Sequence, residues 1–177
     1  DYPLIMGIDS LSTPLHQAVK KLCEGPDGLY YALLFQGGIT CFDKDIEKFL
    51  PVRFDKPLEL KDILDFCWND GSLYLVTSQG LFESRIVRKT EGKHDFVLCL
   101  LNPEPVVRGK VAHLCSDGKT NLYFSVNQRK VVHYDLVAKK TSLIKEYSVV
   151  NRLFLRHGYL WICRLWDDII CYDLKTN

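Results

Sequence analysis

The chain has 177 residues, 47% of them hydrophobic and 25% charged, and 23 basic side chains stand against 22 acidic ones for a net charge of +1. That length bounds it to one domain, or two small ones, and the composition excludes wholesale disorder. The near-neutral total argues against a large basic footprint for nucleic acid, and no apolar run approaches the ~20 residues of a membrane helix. No signal-peptide pattern opens the sequence, and Asp1 rather than Met stands first, so a processed chain or an interior piece is expected.

The first predicted element is the apolar segment Tyr2–Ile8. Pro14–Leu22 follows, either as a connector and opening strand or, with Thr13 as cap, as a short helix. From there a pattern repeats. Asp27-Gly28, Asp70-Gly71, Asp117-Gly118 and His157-Gly158 mark tight turns, because glycine accepts the positive φ that hairpins require. Just after each comes leucine with a large aromatic: Leu29-Tyr30, Leu73-Tyr74, Leu122-Tyr123 and Leu160-Trp161, at steps of 44, 49 and 38 residues. Each pair opens a run too short for a typical helix and rich in aromatic and branched residues, which predicts a strand. Ahead of each turn lies another apolar pair: Leu22-Cys23, Phe66-Cys67, Leu114-Cys115 and Leu153-Phe154.

A second turn and a third strand complete the pattern. The strand reads Cys41-Phe42-Asp43, His133-Tyr134-Asp135 and Cys171-Tyr172-Asp173, beginning 11 or 12 residues after the leucine. The second repeat departs here, with Leu81-Phe82-Glu83-Ser84-Arg85 in its place. Fourth strands are expected at 48–54, 94–101 and 141–147, whereas the last repeat ends before one. Four antiparallel strands per ~40–45 residues is the period of a propeller blade, whose small sheets cover one another by stacking.

The leucine-aromatic pairs and the endings Tyr134-Asp135-Leu136 and Tyr172-Asp173-Leu174 make residues 17–177 resemble the β-propeller class, and within it degenerate WD-repeat proteins. The family's Trp-Asp ending and Gly-His opening are not matched: tyrosine replaces the tryptophan, and His157-Gly158 is reversed. The resemblance implies an all-β fold of about four blades, approximately 17–57, 58–106, 107–147 and 148–177. It also implies that residues 2–8 close the last blade as its missing strand. Either four blades form a small ring, or they belong to a larger propeller completed by a second chain or a further segment. The alternative is an antiparallel sandwich or barrel with helices at Pro14–Leu22 and Asp45–Leu50.

Seven cysteines, an odd number, show no C-x2-C or C-x4-C spacing and sit mostly inside apolar runs. They predict small core residues in a reducing, intracellular setting, cytoplasm or nucleus, and no zinc ribbon. None of the five histidines is spaced as a zinc motif; His113 and His133 fall on predicted strands as structural histidines. No G-x-S-x-G elbow or phosphate cradle is present, and Gln36-Gly37-Gly38 reads as a hairpin turn. Asp167-Asp168 could ligate a metal in a central channel, but Gln36, Gln79 and Gln128 take the matching turn in other repeats. No cofactor, metal or catalytic residue is expected.

The turns between second and third strands, with the connectors between blades, should share one face. Arg108, Lys110, Arg129, Lys130, Arg164 and Trp166 are the partner-binding candidates there, since Arg and Trp dominate binding hot spots. An acidic or phosphorylated peptide suits such a patch. The expectation is a non-catalytic scaffold that binds a polypeptide, the alternative a propeller hydrolase with an acidic or metal site in its channel.

Overall fold

The computed structural model describes residues 18–35, 38–44, 46–54, 63–88 and 95–175. Every regular element among them is a strand, sixteen in chain order (β1–β16). Residues 2–8, expected as a closing strand, lie outside the described residues. The chain divides into two compact units.

One unit comprises the described parts of Asp1–Ile63 and Arg85–Leu100. Its β1 (Val19–Glu24), β2 (Tyr30–Leu34), β3 (Ile39–Asp43) and β4 (Lys48–Phe54) form an antiparallel meander. The two helices of the alternative reading are absent where described: Val19 onward is β1, and Ile46-Glu47 is a turn leading into β4. The reason is local. Asp27 ties down the first turn, its carboxylate accepting the Leu29 amide at 3.2 Å and the Tyr31 hydroxyl at 2.7 Å, and that hairpin draws β1 onto β2.

Strand β8 (Phe96–Leu100), expected as the fourth strand of the second repeat, also runs parallel to β4, with Val52 opposite Phe96 and Phe54 opposite Leu98. Each is the last strand of its meander, and pairing satisfies two rows of backbone groups that would otherwise face outward. Tyr31, Leu33, Cys41, Phe96 and Leu98 are buried in this unit. Burial, reinforced by Asp27 and Asp43, pushes the Cys41 thiol up to about 12, so its sulfur packs and stays protonated.

The other unit comprises Leu64–Ser84 and the described part of Leu101–Asn177. It contains β5 (Asp65–Asn69), β6 (Ser72–Val76) and the first part of β7 (Gly80–Arg88), all antiparallel. A short strand that the sequence did not announce, β9 (Val107–Arg108), pairs with Gly80 and Leu81 of β7. Next comes a four-stranded meander of β10 (Val111–Ser116), β11 (Asn121–Val126), β12 (Lys130–Asp135) and β13 (Lys140–Glu146). Last is a sheet of three described strands, β14 (Val150–Arg156), β15 (Tyr159–Arg164) and β16 (Ile169–Asp173).

Two-residue turns join β5 to β6 and β14 to β15. Asn69 pairs with Ser72 across Asp70-Gly71, and Arg156 with Tyr159 across His157-Gly158. Both central residues have positive φ in each turn, the geometry that matches strand twist and explains the glycines.

The middle meander is buried on both faces, and side-chain alternation divides its residues between two cores. Leu122, Phe124, Val132 and Tyr134 pack with Cys67, Tyr74, Val76 and Leu81 of the preceding sheet. Tyr123 and Val131, pointing the other way, pack with Val150, Leu153, Leu160 and Ile162 of the following sheet. Polar links reinforce the first junction: the Leu114 amide donates to Asp65 at 2.7 Å, Asn69 Nδ2 donates to the Lys119 carbonyl at 2.8 Å, and Ser116 donates to Asn69. The aromatic-Asp endings have a plain structural use. Asp135 accepts the amides of Val137 and Ala138 at 2.8 and 2.9 Å, and Asp173 accepts that of Lys175 at 2.8 Å, so the aspartate closes the turn after its strand.

Candidate functional site

All six candidate residues belong to the second unit, and the backbone gathers them along one edge. Gly109 donates its amide to Gln79 at 3.2 Å, Asn127 to Lys110 at 2.8 Å, Val150 to Gln128 at 2.7 Å, Tyr147 to Arg129 at 2.9 Å and Leu165 to Val149 at 3.0 Å. These bonds chain together the β6–β7 turn, the connector into β10, the β11–β12 turn, the connector into β14 and the β15–β16 turn. Gly80 starts this ribbon because the backbone comes so close there: a Cβ would collide with the Val107 carbonyl oxygen. The matching turn of the first repeat contains Gln36 and Gly37, which lie outside the described residues.

Charge on the ribbon is largely matched internally. Arg108 pairs with Glu104, and Arg129 Nε lies 3.9 Å from Glu146. Arg164 is held by two carboxylates, Asp167 at 2.8 Å and Asp168, whose Oδ1 also accepts Arg164 Nε at 2.9 Å. The Arg164 bonds hold the Asp168 carboxyl below its ordinary range, and Asp168 in turn keeps the guanidinium more firmly protonated. Asp167 and Asp168 are therefore both engaged by Arg164. Among the described residues no group of three or more His, Cys, Asp or Glu side chains is placed to hold a metal ion. Lys110 and Lys130 are exposed and make no ion pair among the described residues.

Trp166 stands apart. It is 95% exposed, and its φ of 61° places a bulky side chain in the left-handed region. Such a conformation is uncommon for anything but glycine, asparagine or aspartate. Val149, Leu165 and Ile169 are exposed around the same turn. The cations and the tryptophan were legible in the sequence; this apolar surround, Glu104 and Glu146 were not. The spacing from Glu104 to Arg108 was a signal for one pair; Glu146 faces Lys130 only through the β12–β13 register.

His133 has a structural placement. Its Nε2 is 2.7 Å from Asn121 Oδ1, its Nδ1 3.2 Å from Ser142 Oγ, and its ring stacks on Tyr123 at 5.2 Å. Cys67 is buried and Cys115 half-buried, as expected of packing residues, whereas Cys171 is exposed.

No family model matches the chain, and none of the curated proteins matches it. Solved structures are similar in fold. An auxiliary nutrient binding protein from Bacteroides thetaiotaomicron superposes with a TM-score of 0.64 at 16% identity, over 90% of this chain and 39% of that one. A chain of the mitotic checkpoint complex gives 0.61 at 15% identity, over 93% of this chain and 50% of that one. The WD40 domain of Neurospora crassa Pan2 gives 0.58 at 10% identity, over 93% and 50%. The chain thus spans half or less of the length of these structures. Together with the repeated antiparallel meanders, these likenesses show that the fold is all-β and β-propeller-like.

Proposed function

We propose that this protein is a non-catalytic interaction module that binds a polypeptide through the turn ribbon from Gln79 to Asp168. The observation behind this reading is Trp166, exposed and held in a left-handed conformation that solvent alone gives no reason to keep. Rigid sheets beneath variable turns suit such a role. The preference for an acidic or phosphorylated segment rests on Lys110 and Lys130. The three arginines already have carboxylate partners, so Trp166 supplies the anchor and the two lysines the charge preference. A reducing, intracellular setting accompanies this proposal, supported by the cysteine pattern and the burial of Cys41 and Cys67.

The test is affinity capture with the full chain, comparing Trp166→Ala with Val137→Ala, a substitution at a 77% exposed residue in the β12–β13 turn. A specific polypeptide should be lost with the first variant and kept with the second, and Lys110→Ala/Lys130→Ala should weaken acidic partners alone. A partner indifferent to Trp166 would count against the ribbon. A stoichiometric rise in Tm with a divalent metal would favour the hydrolase alternative.

A further inference from the structure

The opposite ends of the strands hold a cavity of about 460 Å³ between the β10–β11 turn and the β14–β15 turn. Tyr123, Ser116 and Asp117 line one side, and Arg156 and His157 the other. None of these belongs to the turn ribbon.

Tyr123 is the informative residue. It is only 6% exposed, its ring fixed against His133, yet its hydroxyl makes no hydrogen bond to any described residue. Nor is it sealed from solvent, so what it reaches is the cavity it lines. Burial and then the nearby Asp117 carboxylate push the phenol up to about 12, so at neutral pH it is a protonated donor facing the cavity.

The remaining wall narrows the acceptor's chemistry. Arg156 and His157 make no ion pair among the described residues, leaving the guanidinium without a counter-charge. Asp117, the carboxylate in the wall, is already occupied: Oδ1 accepts the amides of Lys119 and Asn121 at 2.8 and 3.0 Å, and Oδ2 accepts the Asn121 side-chain amide at 2.6 Å. It keeps its negative charge, but its oxygens face into the turn's own donors. An anionic ligand finds two donors open in the wall, the phenol and the guanidinium.

We propose that this cavity binds a carboxylate group, with the Tyr123 hydroxyl and Arg156 as its principal donors. Two sources share that chemistry, the C-terminus of a peptide and a small organic acid. Amide signals of Gly118 and Gly158, one in each turn, would be followed by NMR on the full chain. The probes are acetate, acetyl-Gly-Gly with a free carboxylate, its C-terminal amide, and methylammonium.

Saturable shifts with the two carboxylates and none with the amide are expected. Tyr123→Phe, which keeps the stacked ring, and Arg156→Gln should each weaken binding roughly tenfold or more, as for hydrogen bonds to a charged group. Tighter binding of the peptide acid than of acetate assigns a peptide terminus; equal binding assigns a small acid. The proposal is overturned if the capped peptide shifts both glycines equally, if methylammonium does so instead, if carboxylate binding survives both substitutions, or if no probe saturates. Should Tyr123→Phe fail to fold, Arg156→Gln decides. Trp166→Ala should leave acetate binding unchanged, which keeps this site separable from the ribbon.

Discussion

At the residue scale, two side chains show how local geometry trades stability against use. A left-handed conformation costs a non-glycine residue about 1–2 kcal/mol, and Trp166 has little burial to offset it. Trp166→Gly should therefore raise stability by about 1 kcal/mol in urea denaturation while abolishing capture of the ribbon's partner. Unchanged or reduced stability would show that the tryptophan is sustained by contacts within the chain. Asp117 behaves in the other direction. Burial alone would raise its carboxyl, but the donors from Asn121, Lys119 and Thr120 outweigh burial and hold it below the ordinary range. A depressed folded value means the turn's contribution is complete above the unfolded pKa of about 4 and is lost as pH falls through the lower folded one. Tm should thus be insensitive to this group from neutral pH to about 5 and fall below about 4. Asp117→Asn should remove that part of the acid sensitivity, read as the difference between the two Tm–pH curves.

At the scale of elements, the hairpins were the most legible part of the chain. Asp70-Gly71 and His157-Gly158 announce two-residue turns because few sequences tolerate two successive positive φ values. The aromatic-Asp endings were equally visible, since the aspartate caps its own turn through amides two and three residues on. Strand β9 was not. Two residues have no periodicity to detect, and their pairing with β7 depends on Gly80, 27 residues before Val107 in sequence. Gly80→Ala would drive a methyl into the Val107 carbonyl and break that pairing. A loss of about 2–4 kcal/mol is expected by chemical denaturation, from strain together with the lost backbone bonds. Faster hydrogen exchange at the Val106 amide, which donates to Leu81 at 2.7 Å, should accompany it.

For the whole molecule, the repeat explains how small sheets become stable. Phe124 and Leu160 are fully buried but belong to different cores, one on each side of the middle meander. Phe124→Ala should cost about 3–5 kcal/mol and Leu160→Ala about 2–5 kcal/mol. Because no described side chain belongs to both cores, the double variant should be additive within about 0.5 kcal/mol if the meander between them is rigid. A larger coupling, measured by a double-mutant cycle in denaturant, would mean that repacking one core moves the other.

What the amino-acid sequence determined by itself was everything set by near neighbours: strand periodicity, turn chemistry, the repeat and hence the β-propeller-like class. The turns that make up the ribbon followed from that repeat, and with them the candidates Arg108, Lys110, Arg129, Lys130, Arg164 and Trp166. Tertiary structure alone decided which charges remain available. Arg129 meets Glu146 only after β12 and β13 are in register, and Arg164 is claimed by Asp167 and Asp168 only once their turn has closed. It alone also set Tyr123 in the wall of a cavity whose far side is supplied by Arg156 and His157, more than thirty residues away. The physical reason is range: propensity and hydrophobic alternation act over a few residues, whereas ion pairing and desolvation depend on distances that only the folded chain fixes.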